Sequence, residues 1–283
     1  MLKKGHDVTE VTQASRAIGV FDSGVGGLTV LRALREALPN EDYLYLGDTA
    51  RLPYGTKSPE SVTRYALQAG QLLVERRIKL LVVACNTASA VALPALARAW
   101  APLPVIGVIE AGARASCEAS TSGHIGVLAT EGTVQGGAYV RAIHACRSDA
   151  SVRQNACPLF VALAEEGWLE GELVEGIIGH ALAPLLAGSR EPRPDCLVLG
   201  CTHYPVLAPA IARVAGDDVV LVDSARTTAA EVSALLQREA LTNPADTGKV
   251  HFMATDGAAR FARVGSIFIG RNISEDEVEI VDL

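Results

Sequence analysis

The sequence predicts an α/β fold made of two similar parallel-sheet units in pseudo-symmetric arrangement, with a functional site between them, and three observations predict it. Apolar strand-length runs alternate with helix-length stretches along almost the whole chain, the pattern of βαβ units and a parallel sheet. The 49% hydrophobic content is mostly Ala, Val and Leu with only 5% aromatic, as when Val/Leu strands lie beneath Ala-rich helices. One segment, LLVVACNTAS, has a counterpart 116 positions later in CLVLGCTHYP, so a strand-and-cysteine unit repeats at about the length of a small α/β domain.

Strands are expected at residues 17–21, 43–46, 80–84, 105–109, 125–129, 196–199 and 219–222, each a short uncharged apolar run, and more weakly at 250–253 and 266–269. Helices are expected at 27–38, 59–76, 87–100, 133–146, 172–187 and 227–239, where the pattern turns amphipathic or Ala-rich. The stretches 148–155 and 188–194 are polar or proline-bearing and read as connections, and no linker marks a sequential boundary in the 283 residues.

A formal net charge of -7 with scattered arginines argues against sequence-independent nucleic-acid binding, which needs a clustered basic surface. No apolar stretch reaches the roughly 20 residues of a membrane span, and the first 16 residues lack the apolar core of a secretory signal, so a cytoplasmic protein without membrane partners is expected. Six cysteines in a chain of this length suggest free thiols rather than a disulfide framework, and without CxxC or HExxH spacings no metal site is expected.

Four segments carry chemistry-bearing residues. The first strand runs into Asp22-Ser23-Gly24-Val25-Gly26-Gly27, which matches neither the dinucleotide nor the P-loop glycine spacing. Its glycines are expected to let backbone approach a small ligand, with Asp22 and Ser23 facing the cleft, although either could simply cap the next helix. A loop holding Asp48, Pro53, Tyr54 and Gly55 follows the second strand; taken alone, it reads more readily as a turn than as a site. Cys85, Asn86 and Thr87 stand between a buried strand and a helix N-terminus, which can stabilise an anion. A single such cysteine is more often core than catalyst. The second one, Cys201, with Thr202 and His203 behind it, shifts that balance, because a histidine beside a thiol can exchange its proton.

Two thiols facing one carbon from opposite sides, one protonated and one not, can take a proton from one face and return one to the other. That is racemase chemistry. None of the five lysines (3, 4, 57, 79 and 249) sits at a strand end in a phosphate-binding context, so a pyridoxal Schiff base is not expected and the mechanism reads as cofactor-independent.

The segments FDSGVGGLTVLRAL, YLGDTARLPYGTKS, VVACNTASA and VLGCTHYPVL, in this order, resemble the glutamate racemase family, and weaker similarity covers nearly the whole chain from Ile18. The resemblance implies interconversion of L- and D-glutamate for peptidoglycan without a cofactor. Cys85 and Cys201 would be the two bases, Asp22 and His203 their proton partners, and Ser23, Pro53, Tyr54, Gly55, Asn86, Thr87 and Thr202 the substrate's surroundings. Asp48 and Glu165 fall on acidic positions of the family pattern as auxiliary groups. It further implies a discontinuous first domain, 1–109 with 224–283, around a second domain, 110–223, and a homodimer. Ala111 stands where the family commonly has proline, and the polar extension 1–16 is similar to that of members activated by a cell-wall precursor. Two rivals remain: a racemase for aspartate or another amino acid, and a binding protein that inhibits a nucleic-acid enzyme. A binder would have no need of two strand-end cysteines.

Overall fold

The computed structural model describes residues 12–186 and 192–283; the first eleven residues of the N-terminal extension and part of the connection at 188–194 lie outside the described residues. In chain order the elements are β1 (Ile18–Asp22), α1 (Leu28–Ala37), β2 (Tyr43–Gly47), α2 (Pro59–Glu75), β3 (Leu80–Val83), α3 (Asn86–Trp100), β4 (Val105–Gly107), α4 (Ile109–Ala119), β5 (His124–Ala129), α5 (Glu131–Gly136), α6 (Ala138–Cys146), β6 (Ser151–Ala156), α7 (Pro158–Glu165), α8 (Glu172–Leu186), β7 (Cys196–Gly200), α9 (Ala208–Ala215), β8 (Val220–Asp223), α10 (Ser224–Arg238), β9 (Val250–Ala254), α11 (Ala258–Ile269) and β10 (Val278–Ile280). Among the described residues no helix is long and apolar enough to cross a membrane.

The strands form two sheets, ordered β10-β9-β2-β1-β3-β4 and β6-β5-β7-β8, with every pairing parallel. The internal order of β2-β1-β3-β4 equals that of β6-β5-β7-β8, so the repeat in the sequence is a repeat of topology. The strand order reverses between β1 and β3 and again between β5 and β7. Such switch points open a crevice at the carboxyl ends of the strands, where open α/β sheets hold ligands. Cys85 follows β3 and Cys201 follows β7, one at each switch point. The central strands β1, β3 and β7 are buried along their whole length, and one apolar cluster runs from Ile18 and Val20 to Leu197 and Leu199, joining both units. Helix α10 lies against both α1 and α4, closing the chain's return to the first sheet.

Four expectations need correction. The run at 266–269 is the last turn of α11, whose buried Phe261, Val264, Gly265, Phe268 and Ile269 repeat at helical spacing; three apolar residues behind Ser266 are too few to show their period. The polar stretch 148–155 contains β6, an edge strand of half-buried residues that never needed an apolar run. The strand expected at 105–109 stops at Gly107, and Ile109 already begins α4. The helix expected at 133–146 is two: Gly137, at φ 59°, takes the left-handed conformation that only glycine adopts without strain and turns α5 into α6.

Candidate active site

Local sequence places each functional group. Strand β1 ends at Asp22, whose Oδ2 accepts the Gly24 N–H at 2.9 Å. Cys85 occupies the N-cap of α3, where Sγ accepts the Ala88 N–H at 3.5 Å in the place of a usual capping oxygen, and the same thiol donates to Ser23 Oγ at 3.5 Å. Cys201 opens instead into a 3-10 turn, Tyr204–Leu207, with His203 Nδ1 at 3.8 Å from its sulfur. Both thiols are 5% exposed, and each lies within the electrostatic reach of the other.

Burial sets the proton affinities. It pushes the Cys85 thiol up to about 12, with Asp22 adding to the rise and Ser23 and the α3 N-terminus opposing it without winning. The Asp22 carboxyl is also raised by its burial, against the charge of His203. Burial alone would lower His203, but its hydrogen bonds to Cys201 and Glu165 and the charge of Asp22 outweigh it and lift the imidazole to about 10. The two ring nitrogens meet different groups, Nδ1 the Cys201 Sγ and Nε2 the Glu165 Oε1 at 3.1 Å. The two thiols therefore have different partners: a carboxyl and a serine hydroxyl at Cys85, an imidazole at Cys201.

The polar walls come from both units. Thr87 of α3 bonds with Thr130 at 2.9 Å, and Thr130 with Thr133 at 3.0 Å, a hydroxyl cluster across the cleft. Asn86, 2% exposed, accepts the Tyr139 hydroxyl on Oδ1 at 2.7 Å. Asp22 Oδ1 and Asn86 Nδ2 are buried polar atoms with no protein partner. Thr29 of α1 donates to the Thr202 carbonyl at 3.0 Å, pinning the Cys201 turn to the first unit.

The loop after β2 acts differently from its neighbours. Asp48 is an anchor: Oδ2 accepts from Arg51 at 2.7 Å and from Tyr54, and Oδ1 from Thr255 at 3.0 Å. Tyr54 is buried with its hydroxyl committed to Asp48, Pro53 is exposed, and Gly55 presses against Thr130, where a Cβ would lie 2.8 Å away. Gly26 and Gly27 likewise have a packing reason besides ligand approach: a Cβ on Gly26 would meet His203 Nδ1 at 2.4 Å, and one on Gly27 would meet Asp22 Cβ at 2.5 Å.

Thr130, Thr133, Tyr139 and Arg260 escaped the reading of the sequence. Thr130 had a signal, since it follows β5 as Ser23 follows β1. Tyr139 and Arg260 lie inside helices and had none. Arg260 of α11 donates to Glu165 Oε2 at 2.8 Å, tying the first unit to α7 of the second, and both residues line a cavity of about 230 Å3 with Val25, Leu52 and Phe261. Larger hollows of about 790 and 610 Å3 flank α8 and contain neither thiol. Among the described residues no group of three or more His, Cys, Asp or Glu side chains is disposed to hold a metal ion.

Glu165 offers a test. Burial would raise its carboxyl, but the hydrogen bonds and charges of His203 and Arg260 prevail and hold it below the usual range. Removing Arg260 takes away part of that depression, so Glu165 loses its charge at a higher pH. The acidic limb of the kcat/KM profile of Arg260→Ala is expected to move upward from that of the wild type, measured from about pH 4 to 7. An unmoved limb would remove Glu165 from the proton circuit.

A model of the Asp/Glu/hydantoin racemase family matches residues 18–232. The chain belongs to this family. Among its curated relatives, the glutamate racemase of Geobacter metallireducens is 51% identical over 92% of this chain and 95% of its own length, and that of Neisseria meningitidis serogroup A is 45% identical over 95% and 97%. Among solved structures, glutamate racemase RacE1 of Bacillus anthracis aligns with a TM-score of 0.88 at 39% identity, covering 95% of this chain and 98% of that one. The Francisella tularensis glutamate racemase in complex with D-glutamate aligns at 0.87 and 36%, with the same coverage. This racemase is thus an isomerase with the two-unit α/β fold of its relatives.

Proposed function

We propose that this racemase interconverts L- and D-glutamate without a cofactor, using Cys85 and Cys201 as its acid/base pair. The observation that carries the reading is the placement of two buried thiols at equivalent switch points of the two sheets, each with its own partner group and each within electrostatic reach of the other. One thiolate takes the α-proton, the electron pair of the broken C–H bond delocalises into the α-carboxylate, and the opposite thiol delivers a proton to the other face. The first thiol ends protonated and the second deprotonated, so the site is poised for the reverse reaction. A raised thiol pKa makes a stronger base once the proton has left, and the dry cleft leaves the donors fixed. Asn86 Nδ2, the Thr87 hydroxyl cluster, Ser23 and Thr202 would hold the substrate's charged groups. The choice of glutamate as the substrate rests on the names of the relatives.

The same reading extends to the protein's setting. We assign residues 1–109 with 224–283 to one domain and 110–223 to the other, in keeping with the membership of the two sheets. D-glutamate for peptidoglycan, a cytoplasmic location and a homodimer follow from the family likeness. The Escherichia coli glutamate racemase, 31% identical with a TM-score of 0.73, has a structure with L-glutamate and the activator UDP-MurNAc-ala, which supports a cell-wall precursor as an activator here.

The test is circular dichroism of L-glutamate, D-glutamate and L-aspartate incubated with purified protein and no added cofactor. Both glutamate signals are expected to decay to zero, with deuterium entering the α-position in heavy water, while the aspartate signal persists. Decay of aspartate alone, or of glutamate only after a cofactor is supplied, would overturn the assignment.

A further inference from the structure

We infer that Tyr139 is a positioning residue of this site, which fixes the Asn86 amide so that its N–H2 group, and not its oxygen, faces the substrate. The inference rests on the racemase reading above and goes beyond it. Tyr139 belongs to α6 of the second unit, whereas Asn86 stands at the start of α3 in the first, directly after Cys85. The tyrosine is fully buried. Its ring is wedged where a Cβ on Gly200, the residue before Cys201, would come within 2.9 Å of Cε2, and a Cβ on Gly112 within 3.3 Å of the hydroxyl. One side chain thus touches the backbone that carries the second thiol and hydrogen-bonds the residue beside the first.

The direction of that bond decides what Asn86 can do. The phenol donates to Oδ1 at 2.7 Å. An amide oxygen held by a donor leaves its nitrogen at the opposite edge, and Nδ2 has no protein partner although it is buried. A buried N–H2 without a partner is costly unless a ligand acceptor meets it, and a substrate carboxylate is such an acceptor. Without the phenol the amide can turn over and present its oxygen to the same carboxylate, which is repulsive. Tyr139 handles no proton in this scheme, so its loss should weaken substrate orientation and leave the pH dependence alone.

Tyr139→Phe keeps the ring and removes only the hydroxyl. Its kcat/KM for glutamate is expected to fall about tenfold, the equivalent of one hydrogen bond, with an unshifted pH profile. In an Asn86→Ala background the same substitution is expected to change kcat/KM less than twofold, because the group it positions is already gone. A purely structural tie between the units would instead lower the melting temperature and cost the same factor in both backgrounds. Wild-type constants in Tyr139→Phe, or equal losses with and without Asn86, overturn the inference while the racemase reading stands. A wild type inert on glutamate overturns that reading and this inference with it.

Discussion

Cys85→Ala and Cys201→Ala are each expected to lower glutamate racemisation by about 10³-fold or more, within the range that positioned acid/base groups contribute. The two enantiomers have equal free energy, so kcat/KM must fall by the same factor in both directions whichever thiol is removed. The variants should differ in isotope exchange. Each retains one thiol, which can still take the α-proton from one enantiomer and return solvent deuterium to the same face. Cys85→Ala should therefore wash the α-hydrogen out of one enantiomer, and Cys201→Ala out of the other, with no racemisation in either case. Mass spectrometry of L- and D-glutamate recovered from heavy water reads this directly. Wild-type racemisation in both variants would end the two-thiol mechanism, and exchange of both enantiomers by one variant would end the assignment of one base to each face.

Gly26→Ala is expected to cost about 10²-fold in kcat/KM, although it adds only a methyl group and touches neither thiol. Gly26 is not in the left-handed region, so its backbone accepts alanine. The conflict lies in the space beyond, where the new Cβ would stand 2.4 Å from His203 Nδ1 and 2.5 Å from Thr202 Oγ1. The imidazole cannot simply swing aside. Nε2 is held by Glu165, and the ring packs edge-on against Phe268 at 5.1 Å between centroids. The ring or the turn must shift by enough to spoil the 3.8 Å contact with Cys201. The overpacking should also cost about 1–3 kcal/mol of stability, seen as a lower urea midpoint with native circular dichroism. Unchanged kcat/KM in a folded Gly26→Ala protein would show that the position of His203 does not matter to catalysis.

Much of the candidate site was legible in the chain because strand ends are local features. A buried parallel strand announces itself by four or five uncharged apolar residues, and the residue that follows stands at the carboxyl edge of the sheet whatever the rest of the fold does. Asp22, Cys85 and Cys201 are all of this kind. Asp48 is too, yet the structure gives its carboxylate to Arg51, Tyr54 and Thr255. Strand-end position marks a residue as available for chemistry, and its neighbours in space decide whether it is free.

The sequence by itself determined the α/β class, the repeat and the two thiols at its equivalent points, since alternation, strand burial and residue type are properties of short windows. Tertiary structure alone decided that Asp22 lies within reach of both Cys85 and His203, that Arg260 closes on Glu165 from a helix 95 residues away, that Tyr139 reaches Asn86 across the cleft, and that Gly26 is small because an imidazole occupies its space. The physical reason is common to all four. Each depends on the meeting of two elements that pack only when both sheets are formed, and a side chain inside an amphipathic helix has the same local pattern whether it meets solvent, core or an active site.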